Sequence, residues 1–294
     1  MNYEEFLKTK KLSIIPSGFE IKEVNPLLFD FQSDIVKWAL KKGKSAIFAG
    51  TGLGKTLMQL EWAKHVCNHT NDNVLILAPL AVAQQTVREG EKLDVEVTLC
   101  RTQNDVKQGI NITNYEMMGH FDETQFVGIV LDESSILKSF GGKTKLELIK
   151  KFKNIQFKLC CTATPAPNDH IEITNHSEFL GIMKGSEVLA MFFTHGSDGI
   201  GDWTLKGHAK ELFWEWMASW AVMLRNPIDL GYDNIKFDLP ELKIHEIVVD
   251  KTGYVVKLAQ TLNERRGARR DSIKDRISCA AEIANRNNEK CIKY

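Results

Sequence analysis

Residues 45–56, SAIFAGTGLGKT, decide how this chain folds. A short apolar run, SAIF, passes into a glycine-rich turn, Ala49–Thr56, and LMQLEWAKHV follows with Leu57, Leu60, Ala63 and Lys64 at helical spacing. Strand, glycine turn and helix in that order let backbone amides close around a polyphosphate, and the helix N-terminus adds partial positive charge. Gly50, Thr51, Gly52, Leu53, Gly54, Lys55 and Thr56 are the expected lining. Lys55 would reach the β- and γ-phosphates, and Thr56 offers a small hydroxyl to a bridging magnesium ion. Ala49 stands where glycine is usual. The competing reading, a glycine turn beside a solvated lysine, leaves the flanking strand and helix unexplained. The loop alone implies a nucleoside triphosphate, not what its energy drives.

Outward from the loop, apolar runs alternate with amphipathic stretches between Ser45 and Pro165: SAIFAG, NVLILAP, VEVTLC, GINIT, VGIVLDE and FKLCCTATP. Most lack strict alternation, as expected of strands covered on both faces of a parallel sheet. The fold class is therefore α/β, a parallel central sheet flanked by helices. In TKLELIKKF after Gly142, Leu146, Ile149 and Phe152 are expected to face the core. From Asn168 to Arg225 the sequence turns helical and aromatic, ending in KELFWEWMASWAVMLR, where Phe213, Trp216, Trp220 and Met223 share one helical face. Trp214, Trp216 and Trp220 could stack on bases, but the periodicity favours packing for the latter two. Pro227, Gly231 and Pro240 mark a connector; KIHEIVVD then reads as a strand and Tyr254 onward as a basic helix, with Gly267 as a candidate interruption.

The 294 residues allow one large domain or two ordinary ones, at about 150 residues each. With 43% hydrophobic and 26% charged residues the chain should fold. Lys plus Arg and Asp plus Glu both number 38, so contact with nucleic acid or an anionic membrane would need a local patch. The six cysteines form no CxxC pair, the eight histidines are read as solvated or core residues, and no apolar run approaches the ~20 residues of a membrane span. A reducing, cytoplasmic setting without a membrane partner is expected.

VGIVLDES ends in Asp132 and Glu133 at the carboxyl end of a buried strand, where ligands bind in open α/β sheets. Asp132 can hold the magnesium shell; Glu133 can orient or deprotonate a water in line with the γ-phosphate. Read alone, the pair is also an acidic helix cap. The next run ends in Thr162, Ala163, Thr164 and Pro165, which places two hydroxyls at the tip of a strand beside the acidic one. They can exchange hydrogen bonds with Asp132 or Glu133; the alternative is an ordinary strand end before a proline turn. The loop-bearing strand and the acidic strand are expected to be neighbours.

These motifs in this order, with a glutamine upstream, resemble the superfamily 2 helicases of DEAD/DEAH type, most closely the chromatin-remodeller-like branch found in bacteriophages. The resemblance implies a RecA-like P-loop lobe binding ATP and Mg2+, with Lys55, Asp132 and Glu133 as its catalytic centre and Thr56 and Asp132 on the metal. It also implies that Gln32, in LFDFQSDIVKWAL, reads the adenine edge, since a side-chain amide both donates and accepts. LAPLAVAQQTVRE and ITNYEMM resemble motifs that touch the nucleic-acid backbone, through Pro79, Leu80 and Ala81 and through Thr113, Asn114 and Tyr115. LDESSILKS resembles the family's acidic box, with Lys138, and CTATPAPND its coupling motif, with Asn168.

On that resemblance the chain divides into a RecA-like ATP-binding lobe, 1–225, whose helical aromatic extension is 168–225, a connector, 226–241, and a partial second lobe, 242–294. Family members carry two lobes, and the second supplies arginines to the γ-phosphate, worth about 10³ to 10⁵ in rate in related enzymes. The chain is expected to stop short of that motif. RRGARR, Arg265–Arg270, reads as a solvated basic helix face that could still meet phosphates. The expected function is an ATP-hydrolysing motor lobe on nucleic acid, DNA before RNA, with hydrolysis limited unless a second lobe or partner provides the arginine finger. The rival from another class is an ATP-dependent binding switch without sustained turnover. A kinase or GTPase is opposed by Gln32 and the TATP run, and no NKxD string is present.

Overall fold

The computed structural model describes residues 14–138, 142–167, 169–195, 203–233, 237, 246–249 and 261–286. The chain divides into two units, 1–238 and 239–294. At the centre of the first lies a parallel sheet of β1 (Lys44–Ala49), β2 (Val74–Ala78), β3 (Val97–Leu99), β4 (Ile110–Asn114), β5 (Gly128–Asp132), β6 (Phe157–Thr162) and an edge strand, Ala221–Leu224. The strand order is β3-β4-β2-β5-β6-β1 and then the edge strand. All six runs read from the sequence are strands, so the fold is the RecA-like α/β lobe that the sequence implies.

Residues alternate across each strand. Ile47 and Ala49 join one core, with Ile76, Ile112, Val130 and Leu159, under helices α1 (Asp30–Lys42), α2 (Lys55–Thr70) and α3 (Ala83–Lys92). Ala46 and Phe48 join the other, with Leu75, Leu77, Ile129 and Leu131, under α4 (Lys143–Lys151), α5 (Ile173–Leu180), α6 (Gly185–Phe192) and α7 (Lys210–Ala218). Two-sided burial is why these strands lack strict polar alternation. A two-stranded antiparallel pair, β7 (Phe193–His195) with β8 (Trp203–Leu205), stands apart from the main sheet.

Four expectations about secondary structure and helix phase are not met. The run 210–224 is not one helix: α7 stops at Ala218, and Ala221–Leu224 forms β9, parallel to β1, with Met223 exposed. Phe213, Trp216 and Trp220 are core as expected. The apolar run AVML satisfies the edge of β1, whose Ala46 amide donates to the Trp220 carbonyl at 3.0 Å; helical and strand periodicities cannot be separated over so short a run. In α4 the inward residues are Lys145, Leu148 and Phe152, while Leu146 is exposed. Lys145 sets that phase, because its ammonium pairs with Glu178 at 3.1 Å and donates to Asn175 Oδ1 at 2.8 Å. Of KIHEIVVD only 246–249 are described, and these are not in a strand. In the second unit α8 (Leu262–Asp271) runs through Gly267, and the break falls at Ser272, before α9 (Ile273–Arg286). The arginines of RRGARR lie exposed along α8, as read from sequence. Among the described residues no helix is long and apolar enough to cross a membrane.

Candidate active site

Because every strand of the main sheet is parallel, the glycine loop after β1, the acidic pair after β5 and the threonine tip of β6 all emerge on one edge. The loop strand and the acidic strand are not neighbours as expected: β6 lies between them. Its tip is therefore the centre of the arrangement. Register pairs Thr162 with Phe48 on one side and Cys161 with Asp132 on the other, so Thr162 comes level with the residue following Asp132, which is Glu133.

The loop is built for its turn. Gly52 (φ 82) and Gly54 (φ 74) take left-handed conformations, and a Cβ at Gly52 would meet nothing within 4 Å, an open cradle. A Cβ at Gly54 would collide with the side-chain amide nitrogen of Gln32. Gln32 is buried; its Nε2 donates to the Leu53 carbonyl at 2.9 Å, and its Oε1 accepts from the Phe29 amide at 3.0 Å. The glutamine thus touches the loop directly, holding its last turn against α1. Gly50 is fixed from the other side: its amide donates to the Leu224 carbonyl at 2.9 Å, and a Cβ there would lie 2.8 Å from the Arg225 carbonyl oxygen. Thr51 is exposed, Leu53 is buried, and Thr56 is half-buried in the first turn of α2.

Lys55 folds back over the loop, its ammonium donating to the carbonyls of Ala49 at 2.9 Å and Gly50 at 3.1 Å. These are neutral acceptors that an anionic oxygen would replace with gain. Asp132 is buried, and desolvation raises its pKa from the ordinary aspartate value; the Glu133 charge adds to the rise, while a hydrogen bond from Gln59 Nε2 at 2.8 Å, another from the Glu133 amide and the charge of Lys55 oppose it. The Oε1 atom of Gln59 is buried without a partner among the described residues. An inward carboxylate held by neutral donors alone, an orphaned amide oxygen beside it and an ammonium within electrostatic reach fit a divalent cation and a polyphosphate.

Glu133 has a left-handed backbone, φ 55, rare for a non-glycine residue. Its Oε1 accepts from Thr162 Oγ1 at 2.6 Å and Ser135 Oγ at 2.7 Å, and Thr162 Oγ1 accepts from the Thr164 amide at 3.0 Å. Thr162 is buried, Ala163 half-buried and Thr164 exposed. The next residue of the box, Ser134, shares a hydrogen bond with His176 Nε2 of α5 at 3.1 Å. Lys138 is exposed, and Asn168 lies outside the described residues.

The two segments expected to face nucleic acid divide. Leu80 and Ala81 are exposed and Pro79 half-buried in the turn after β2. Thr113 and Tyr115 are buried, so their side chains cannot meet a strand from solvent. The physical reason is that β4 is an inner strand and Tyr115 fills the space under β5, donating its hydroxyl to the Asp132 carbonyl at 2.7 Å. Asn114 is half-buried and caps the turn Tyr115–His120 by accepting from the Met117 amide at 2.9 Å.

Sequence reasoning missed four contributors to this edge. Gln59 lies one helical turn after Lys55, a spacing that could have found it. Ser135 carries no signal beyond its hydroxyl two residues from Glu133. Leu224 and Arg225 carry none, because β9 was read as helix.

No curated protein is detectably similar in sequence. Among solved structures, the Sulfolobus solfataricus SWI2/SNF2 ATPase core in complex with dsDNA matches with a TM-score of 0.59 and 20% identity over 76% of this chain, which spans 49% of that core's length. The UvsW helicase from bacteriophage T4 matches with a TM-score of 0.45 and 16% identity, over 63% of this chain and 66% of that one. The family of SNF2-related domains matches residues 31–193, more than half of the chain and the whole span from Gln32 through the loop, the acidic pair and the threonine tip. The chain belongs to the SNF2-related domain family.

Proposed function

We propose that this chain is the ATP-hydrolysing motor lobe of a superfamily 2 translocase of DEAD/DEAH type, acting on nucleic acid, DNA in preference to RNA. The observation that carries the reading is the bond from Thr162 to Glu133 between the Lys55 loop and Asp132, on one edge of the sheet. Gln32, buried and bonded at both ends, would brace the loop rather than meet the adenine edge, the amides of Thr51–Gly54 and the Lys55 ammonium would meet the phosphates, and Thr56 and Asp132 a magnesium ion. That ion, when bound, supplies charge neutralisation on the phosphate oxygens. Glu133 orients a water and takes its proton; Thr162 and Ser135 hold one carboxylate oxygen and leave the other for that task. The exposed turn at Leu80 and Ala81 offers backbone amides to a nucleic-acid strand. Charge on the γ-phosphate is completed by arginines of a second RecA-like lobe or a partner protein.

Calorimetry with Mg·ATP and a phosphate-release assay with and without duplex DNA test the reading. Wild-type protein should give binding heat, Lys55→Ala should abolish it, and Glu133→Gln should keep it while lowering turnover by about 10² or more. No heat from the wild-type protein overturns the proposal. Heat with no turnover, even with a second lobe supplied, would favour a nucleotide-dependent switch, since Glu133 would then have no proton to take.

A further inference from the structure

The Tyr115 ring lies in the core beneath β5, and its hydroxyl reaches the main chain between the two acidic residues: it donates to the Asp132 carbonyl at 2.7 Å. That carbonyl belongs to the peptide unit joining Asp132 to Glu133, the unit from which Glu133 enters its left-handed conformation. A non-glycine residue at φ 55 persists only where its surroundings over-determine it. Thr162 and Ser135 hold the carboxylate end of Glu133, but neither touches the backbone bond whose rotation aims the side chain. Among the described residues Tyr115 is the side chain that grips that peptide oxygen.

Tyr115 is also the first residue of the turn Tyr115–His120, capped by Asn114 at the end of β4. Register pairs Asn114 with Ala78, the last residue of β2, so the capped turn stands beside the exposed Leu80–Ala81 turn on the same edge as the acidic pair. One rigid ring therefore spans from a surface turn to the peptide that orients Glu133.

We propose that Tyr115 is a positioning residue for Glu133: its hydroxyl clamps the Asp132–Glu133 peptide, so the state of the 114–120 turn sets the aim of the carboxylate. The inference rests on the function proposed above for Glu133. It assigns Tyr115 a role through the backbone of another residue rather than contact with a strand, and it gives nucleic acid lying over Leu80, Ala81 and Asn114 a short physical route to the water-orienting group.

The test uses the full chain and Tyr115→Phe, which keeps the ring and removes only the hydroxyl. Amide hydrogen exchange across 128–136 is followed by mass spectrometry, beside Mg·ATP calorimetry and single-turnover hydrolysis with and without a short DNA duplex. In the variant, exchange should accelerate at Glu133–Ser135 and remain as wild type in β1, while Mg·ATP affinity stays within about twofold. The hydrolysis rate should fall about tenfold with KM unchanged, the split expected when a transition-state interaction is lost. Exchange that matches wild type overturns the inference, as does unchanged turnover in a chain that hydrolyses ATP. A wild-type chain that takes up no Mg·ATP sinks the proposed function instead, and the exchange comparison still decides whether Tyr115 holds that peptide.

Discussion

Thr162 donates its hydroxyl to Glu133 across 2.6 Å, although 29 positions separate them, because β6 runs beside β5 in a register that brings their tips level. A threonine at a strand end is ordinary; one bonded to a left-handed acidic residue of the neighbouring strand is a mechanical link. It makes the tip of β6 sensitive to anything that moves the Glu133 carboxylate.

Thr162→Val keeps the shape of this buried residue and deletes the hydroxyl. Glu133 loses one of its two donors, and the Thr164 amide loses its acceptor. Hydrolysis should fall about tenfold with little change in Mg·ATP affinity, and stability by about 1–2 kcal/mol for the unpaired amide. Thr162→Ser should restore most of both. Steady-state kinetics and denaturant melts of the three proteins check this; a valine variant with wild-type turnover would show that Ser135 alone suffices.

Gly50 and Gly52 are both loop glycines, for different reasons. A Cβ at Gly50 would stand 2.8 Å from the Arg225 carbonyl oxygen, main chain that cannot turn aside, and would force the loop away from β9. At Gly52 there is open space but a φ of 82°, so alanine there costs backbone strain alone, about 1 kcal/mol. Gly50→Ala should cost more, about 2–3 kcal/mol, through strain of the overpacking kind. Thermal midpoints should therefore rank wild type above Gly52→Ala and Gly52→Ala above Gly50→Ala. The reverse order would mean that the contact with β9 yields easily.

How much of this was legible in the sequence differs by element. The six strands from β1 to β6 were readable because apolar runs bounded by glycine, proline and polar turns leave few alternatives, and a lysine after a glycine loop has few other uses. The strand order was not. Placing the Lys55 loop and the acidic pair on neighbouring strands followed from their shared chemistry, whereas β6 separates them and contributes Thr162 for that reason. WMASWAVML carries helical periodicity through Met223, and only the unpaired edge of β1 turns its end into a strand. Burial was the weakest reading: Lys145 and Tyr115 bear polar atoms that suggest a surface, yet each is inside because a specific partner, Glu178 or the Asp132 carbonyl, answers it.

That lesson bears on Asp132, whose inward position has a pH consequence. Burial raises its pKa and the Gln59 hydrogen bond at 2.8 Å restrains the rise, so the proton competes with a cation at this carboxylate. The sign follows: metal-dependent nucleotide affinity is present above the folded-state pKa of Asp132 and is lost as pH falls through it. Gln59→Leu removes the restraining donor while keeping similar bulk, and should move that loss to higher pH. Calorimetric titration of Mg·ATP at a series of acidic to neutral pH values should give two curves of similar plateau, the variant's displaced upward. Superimposed curves would mean that another group limits cation binding; a lowered plateau at every pH would mean that Gln59 acts on the loop rather than on the Asp132 proton.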